Sequence, residues 1–162
     1  MAVIFSEMKH YNYIILTLAA IASFILGGCS AENKDPEVNI AVIGEWHLTE
    51  WSGEKPEGVD VYLEFLSDGE FNIYQHLESN TYEHLSGTFS TSSDFITGCY
   101  DDGEKWNSGY HFVVSADGET LTLTSDTGSG LVSIYTKAKI PAEVRNSPVS
   151  RAAAGSSESR IL

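Results

Sequence analysis

Gly109-Tyr110-His111-Phe112-Val113-Val114-Ser115-Ala116-Asp117-Gly118-Glu119-Thr120-Leu121-Thr122-Leu123-Thr124-Ser125 is the stretch that decides the fold. Tyr110, Phe112 and Val114 stand at every second position, and so do Leu121 and Leu123. A period of two sends alternate side chains to opposite faces of an extended chain, whereas a helix would ask for apolar residues three and four apart. Asp117-Gly118 lies between the two runs and accepts the positive φ angles of a tight hairpin. The stretch therefore predicts two antiparallel strands with one apolar face each.

The same grammar extends in both directions. Reading outward, the predicted strands are 44–51, 59–66, 70–77, 82–91, 95–100, 109–115, 119–125 and 131–138. A second Asp-Gly pair, Asp68-Gly69, marks another hairpin, and Ser-Gly, Asp-Asp-Gly-Glu and Gly-Ser-Gly break the remaining runs. No window of useful length carries a helical period. Eight short strands joined in sequence form a meander, and closing that meander both buries one face and removes the exposed edges. The expected fold is all-β: a small eight-stranded antiparallel up-and-down barrel over residues 38–145. Its inward set is expected to be Trp46, Leu48, Val61, Leu63, Phe65, Phe71, Ile73, Leu85, Phe89, Tyr110, Phe112, Val114, Leu121 and Leu123. The fifth and eighth strands carry apolar residues on both faces, so their inward side stays open.

Charge narrows the partners. Nine basic residues face 23 acidic ones, a net charge of −14. Between Ile40 and Thr136 the only cations are Lys55 and Lys105. Phosphate contacts need clustered Lys and Arg, which excludes nucleic acid as an expected partner, and an anionic membrane surface would repel such a domain. Any attachment to a membrane must then come from lipid or from a separate segment.

The first residues supply that address. Met8-Lys9 opens a short charged region, an apolar run follows from about Tyr13 to Leu26, and Leu26-Gly27-Gly28-Cys29 closes it. The run is too short to span a bilayer, which takes roughly 20 apolar residues. This ending resembles the lipobox of bacterial lipoprotein signal peptides. The resemblance implies cleavage after residue 28, acylation of Cys29 on sulfur (palmitate being one such chain), and a polar tether over 29–37. Ser30 is similar to the residue that sorts Gram-negative lipoproteins to the outer membrane. With Cys29 so used, Cys99 remains a thiol rather than half of a disulfide.

Gly44-Glu45-Trp46 on the first strand, followed by the meander, resembles the lipocalins, and more closely the short lipocalin-like domains of bacterial lipoproteins. Ile96-Thr97-Gly98-Cys99-Tyr100-Asp101-Asp102-Gly103, then Trp106, Tyr110 and Leu121-Thr122-Leu123-Thr124, share the look of that group, and the resemblance spans about 38–144. It implies that Gly44 and Trp46 build a closed barrel floor, across which Lys137 or Lys139 packs. The sequence departs from the full pattern: it lacks a Thr-Asp-Tyr motif between strands six and seven, shows no clear helix after strand eight, and is shorter.

Candidate chemistry is sparse. Asp126-Thr127-Gly128-Ser129 matches an aspartic-protease motif by letter, but that chemistry needs two carboxylates sharing a proton, so a hairpin turn is the better reading. His47, His76, His84 and His111 lack the tight spacing of metal ligands and read as strand-surface residues. Asp101-Asp102-Gly103-Glu104 lacks the alternating oxygen ligands of a calcium loop. Cys99 has no cation or base in its own segment to activate it. No catalytic residue, metal site or cofactor is expected. Phe65, Tyr100, Trp106, Tyr110 and Phe112 are the candidate ligand-binding residues, an aromatic mouth of the kind that holds small apolar molecules. The contrasting expectation is a filled barrel that meets a protein in the cell envelope. Residues 146–162, polar and simple, are expected to form a disordered tail.

Overall fold

The computed structural model describes residues 37–77, 81–128, 130–147 and 160–162. The signal segment 1–28, Cys29 and all of the tether but Glu37 lie outside the described residues, as does Ser129.

Eight strands follow one another: β1 (Gly44–Trp51), β2 (Asp60–Phe65), β3 (Glu70–His76), β4 (Glu83–Ser92), β5 (Phe95–Tyr100), β6 (Tyr110–Val114), β7 (Thr120–Ser125) and β8 (Val132–Lys137). Each pairs antiparallel with the next, and β8 returns to β1, giving a closed barrel in sequence order. Closure leaves no edge strand to be managed by charge or proline. A single irregularity breaks the β1–β8 ladder, between Leu48 and Glu50, where Thr49 is the extra residue and donates its hydroxyl to the Ile134 carbonyl at 3.2 Å.

The inward set is as the period-two reading has it. All of its members are buried except Val114, which packs part-buried against the same core. On the two ambiguous strands the interior takes Ile96 and Tyr100 from β5, and Ser133 and Tyr135 from β8. The polar side chain of Gln75 also occupies an interior position, at the upper end of β3.

The Asp-Gly hairpins differ from the predicted geometry. Only glycine takes positive φ in each, Gly69 at +85° and Gly118 at +74°, while the aspartates do not. Gly69 N–H donates to the Leu66 carbonyl at 3.2 Å, and Gly118 N–H to that of Ser115 at 2.8 Å. Asp68 and Asp117 accept from the backbone N–H two residues on, at 3.1 Å in both cases. These are type I turns finished by a left-handed glycine, with the carboxylate fixing the bend.

The β5–β6 seam is short. Only Phe95↔His111 and Ile96↔Tyr110 are in register. Above them β5 pairs instead with the loop that leaves it: Cys99 bridges to Lys105, and Trp106 N–H donates to the Gly98 carbonyl at 3.0 Å. This turns Trp106 into the barrel. A Cβ on Gly98 would lie 2.4 Å from its indole ring, so glycine is what lets the ring sit there.

Two features past β8 differ from expectation. A four-residue helix, α1 (Ala142–Arg145), packs outside the barrel, where Ile140 and Val144 cover Tyr74, with Tyr62 and Tyr82 beside them. One turn is too short to leave a periodic signal in sequence. Arg145 reaches both oxygens of Glu64 at 3.2 and 2.8 Å and lies 5.8 Å from the Tyr74 ring centroid. The second concerns the two ends of the stretch expected to be a disordered tail, of which 148–159 lie outside the described residues. Asn146 and Ser147 continue from α1, and Arg160–Leu162 enters the barrel with Leu162 only 2% exposed. Two aliphatic residues after a polar stretch are too few to register as a hydrophobic segment, which is why the tail read as featureless.

His84, on the outer face of β4, provides a test of this packing. Its ring stacks on Tyr74 at 4.6 Å and its Nε2 meets Asn72 Oδ1 at 2.8 Å. Burial pulls its pKa below the ordinary 6.5, partly offset by the Asp101 and Glu64 carboxylates. The folded state thus favours neutral imidazole and the unfolded state binds the proton more readily. This contribution to stability is intact above about pH 6.5 and is lost as pH falls through the lower folded value. The urea midpoint is expected to fall between pH 7 and pH 5.5, with a flatter slope in His84→Gln. Identical slopes would show that His84 does not couple to folding.

Candidate functional site

The strand directions give the barrel two ends. The floor is built at the start of β1. Gly44 sits at φ +140°, a backbone that side-chain-bearing residues rarely adopt, and a Cβ there would meet Lys137 Cε at 3.4 Å. Trp46 is fully buried, and its indole N–H donates to the Val42 carbonyl at 2.8 Å. Lys137 lies opposite Trp46 in register, with its ammonium 5.4 Å from the ring centroid. A basic side chain across a floor tryptophan, beneath eight strands in up-and-down order, is the arrangement that the Gly-x-Trp resemblance implied. The barrel is lipocalin-like.

No family model matches this sequence, and no curated protein does. Among solved structures, a lipocalin-like protein from Bacteroides uniformis aligns with 60% of this chain and 99% of its own, at 18% identity and a TM-score of 0.48. An uncharacterized protein from Bacteroides eggerthii aligns with 59% of this chain and 98% of its own, at 16% identity and a TM-score of 0.45. The fold itself rests on the strand order and register of this chain.

The aromatic residues expected at the mouth of the lipocalin-like barrel separate into two levels. Phe65 lies low, at the end of β2 beside Gly44, with Phe89 4.8 Å away between ring centroids. Trp106 hangs down to meet it, 5.2 Å from Phe71 and 6.4 Å from Phe65, edge-on or tilted in each case. Such contacts are worth about 0.5–1.5 kcal/mol beyond the area they bury. Phe112 is buried opposite Leu123 in the wall of the barrel. These three are packing residues in this structure, and Trp106 fills space that an empty barrel would leave to a ligand.

Tyr100 and Tyr110 stand higher and present hydroxyls to the interior. Burial pushes the Tyr110 phenol up to about 12 and the Tyr100 phenol higher still, so both are protonated donors at neutral pH. Beside Tyr110 opens a cleft of about 290 Å³, whose lining mixes Trp51, Leu77 and Leu131 with Asn107, Ser108, Ser125, Thr127, Ser133 and the entering Arg160 and Ile161. A wall that mixes apolar surface with hydroxyl and amide groups suits a small amphipathic molecule, with the volume at the low end for such sites. Two further grooves open: one at the β1–β2 loop around Trp51 and Pro56, adjoining this cleft through Trp51 and Leu131, the other at the floor around Lys137 and Lys139.

The remaining sequence candidates disperse. His47 pairs with Asp60 at 2.6 Å, and Tyr82 donates to the other oxygen of the same carboxylate. His111 on β6 faces Asp94 at 3.2 Å, and His76 lies against Tyr82. Among the described residues no three His, Cys, Asp or Glu side chains converge as a metal ligand set. Cys99 is half-buried, its Sγ 3.7 Å from the Tyr100 carbonyl. Thr127 forms part of a hydroxyl cluster at the β7–β8 turn, with Ser125 Oγ 2.7 Å from its own hydroxyl and 2.9 Å from Ser108. Gln75, Tyr135 and the segment Arg160–Leu162 escaped the sequence reading. Only Gln75 left a signal, as a polar residue at an inward period-two position.

Proposed function

We propose that this chain is a cell-envelope lipoprotein, anchored by acyl chains on Cys29 in the outer membrane, whose lipocalin-like barrel holds a small apolar or amphipathic molecule at its mouth. The observation that carries the binding reading is the buried phenol of Tyr110 on the wall of a cleft of mixed apolar and polar lining, with the phenol of Tyr100 in the core close by. A protonated phenol in a low-dielectric wall recognises an acceptor oxygen at little solvation cost to either group once the bond is made. Such a site needs binding geometry alone; the reading includes no catalytic step and no cofactor.

Native mass spectrometry of residues 38–162, purified gently from bacterial extract, tests this. An added mass that disappears on denaturation supports the reading and identifies the guest. A clean apo mass from several extracts counts against it. A second reading, an envelope interaction module with a solid barrel, is favoured by one specific observation: Trp106 fills the lower interior. Capture of a protein partner by a chain that never carries a guest would select it.

Anchoring has its own expected result. With an alkyne-palmitate label in a Gram-negative host, the full chain should acquire label and sediment with membranes, because more than one acyl chain gives durable attachment. Cys29→Ser should lose the label and leave the membrane fraction. Retention of both would refute the lipobox reading.

A further inference from the structure

The backbone of the segment Arg160–Leu162 meets polar side chains of the barrel at four places. Tyr100 donates its hydroxyl to the Leu162 carbonyl at 2.9 Å, and Tyr110 reaches the Ile161 carbonyl at 3.5 Å. The Ile161 N–H donates to Gln75 Oε1 at 3.3 Å, and Asn107 Nδ2 lies 3.5 Å from the Arg160 carbonyl. Side chains from β3, β5, β6 and the β5–β6 loop thus meet consecutive backbone groups of this segment, one group each. Gln75 is itself 1% exposed, a buried amide whose carbonyl faces this backbone.

The side chains of the segment have partners as well, apart from Arg160 Nε, which is buried with none among the described residues. Leu162 joins the main core and Ile161 packs against it. The Arg160 guanidinium lies 4.4 Å from the Tyr100 ring centroid and forks onto both oxygens of Asp102. A planar cation stacked on an aromatic face and bidentate on a carboxylate is how arginine is read specifically.

We propose that the mouth is a peptide-binding site, selective for an arginine-aliphatic-aliphatic segment, and that Arg160–Leu162 is its resident occupant, which any guest must displace. The displacement clause rests on the small-molecule reading given above; the peptide site does not. Tyr100 and Tyr110 would then exchange one carbonyl acceptor for another when a guest enters. Apparent guest affinity is set by the fraction of molecules whose segment is out.

The test uses the mature chain, wild type and Leu162→Asp, each checked for folding by circular dichroism. A fluorescein-labelled peptide of residues 157–162 is titrated by anisotropy, beside a control peptide carrying Arg160→Glu. The labelled peptide is expected to bind Leu162→Asp at least about tenfold more tightly than wild type, since the competent fraction rises, and the control to bind neither. Equal binding to both proteins, or to neither, overturns the proposal. Should Leu162→Asp fail to fold, the wild-type chain decides alone: nuclear Overhauser contacts from the Leu162 methyls to the Tyr100 ring support the occupant, and their absence overturns it. N-phenyl-1-naphthylamine, titrated in the same samples, reads the small-molecule site separately. Its failure to bind either protein counts against an apolar guest while leaving the peptide result standing.

Discussion

Trp46→Ala is expected to destabilise the barrel by about 3–5 kcal/mol, the usual cost of removing a large aromatic from a packed core. Three losses add at this position. The indole is fully buried, so its apolar surface leaves the core and the void closes poorly between β1, β2 and β8. The Val42 carbonyl loses the indole N–H that satisfies it, and an orphaned buried acceptor costs about 1–3 kcal/mol. Lys137 loses the ring beneath its ammonium. Against a total stability of roughly 5–15 kcal/mol for a domain, the variant stands close to the threshold of folding. Guanidinium unfolding of residues 38–162, followed by circular dichroism, measures the effect. Trp46→Phe should fall between the two, because it keeps a ring and loses the donor. A loss under about 1 kcal/mol for Trp46→Ala would mean that the floor is not the structural keystone described here.

Trp106→Ala carries an expected cost of similar size, about 3–5 kcal/mol, with a different consequence. The ring is 5% exposed and contacts Phe65, Phe71 and Tyr110. Its indole nitrogen, unlike that of Trp46, is buried with no hydrogen-bond partner among the described residues. Removing it therefore deletes an unsatisfied donor together with the packing, which pulls the net cost toward the lower end of that range. The space it leaves is walled by Phe65, Phe71 and the bare backbone of Gly98. An apolar cavity of that kind stays dry and binds apolar guests. N-phenyl-1-naphthylamine fluorescence should rise on titration into Trp106→Ala well above its rise with wild type. A variant that loses stability and gains no binding would show that the neighbouring side chains collapse inward.

What could be read from sequence followed the period of two. Wherever one face of a strand is apolar and the other polar, as in β2, β6 and β7, the inward residues were plain. β5 and β8 were not: Phe95, Ile96 and Cys99 share one strand, and Val132, Ile134 and Tyr135 the other, so alternation had no contrast to display. Tertiary contact decided them. The two levels of the mouth were hidden for another reason. Trp106 sits in a loop, and its inward turn depends on the lack of a side chain at Gly98, eight residues earlier and on a neighbouring segment. Local sequence does not encode such a pairing. Arg160–Leu162 was missed because its partners, Gln75, Tyr100 and Tyr110, are dispersed over three strands and only the closed barrel brings them to one place.

The two-pair seam between β5 and β6 makes this barrel a hoop with one weak stave. Ladder bonds around the rest of the circumference share any outward load, but at the seam the load passes through the loop that carries Lys105 and Trp106. Thermal breathing should start there, and amides near Gly98 and Tyr110 should exchange with solvent before those of β2 and β3. Because the indole rides on that same loop, opening the stave withdraws the stopper in one movement. In a barrel that looks solid at rest, the seam rather than the mouth is then where solvent first reaches the interior.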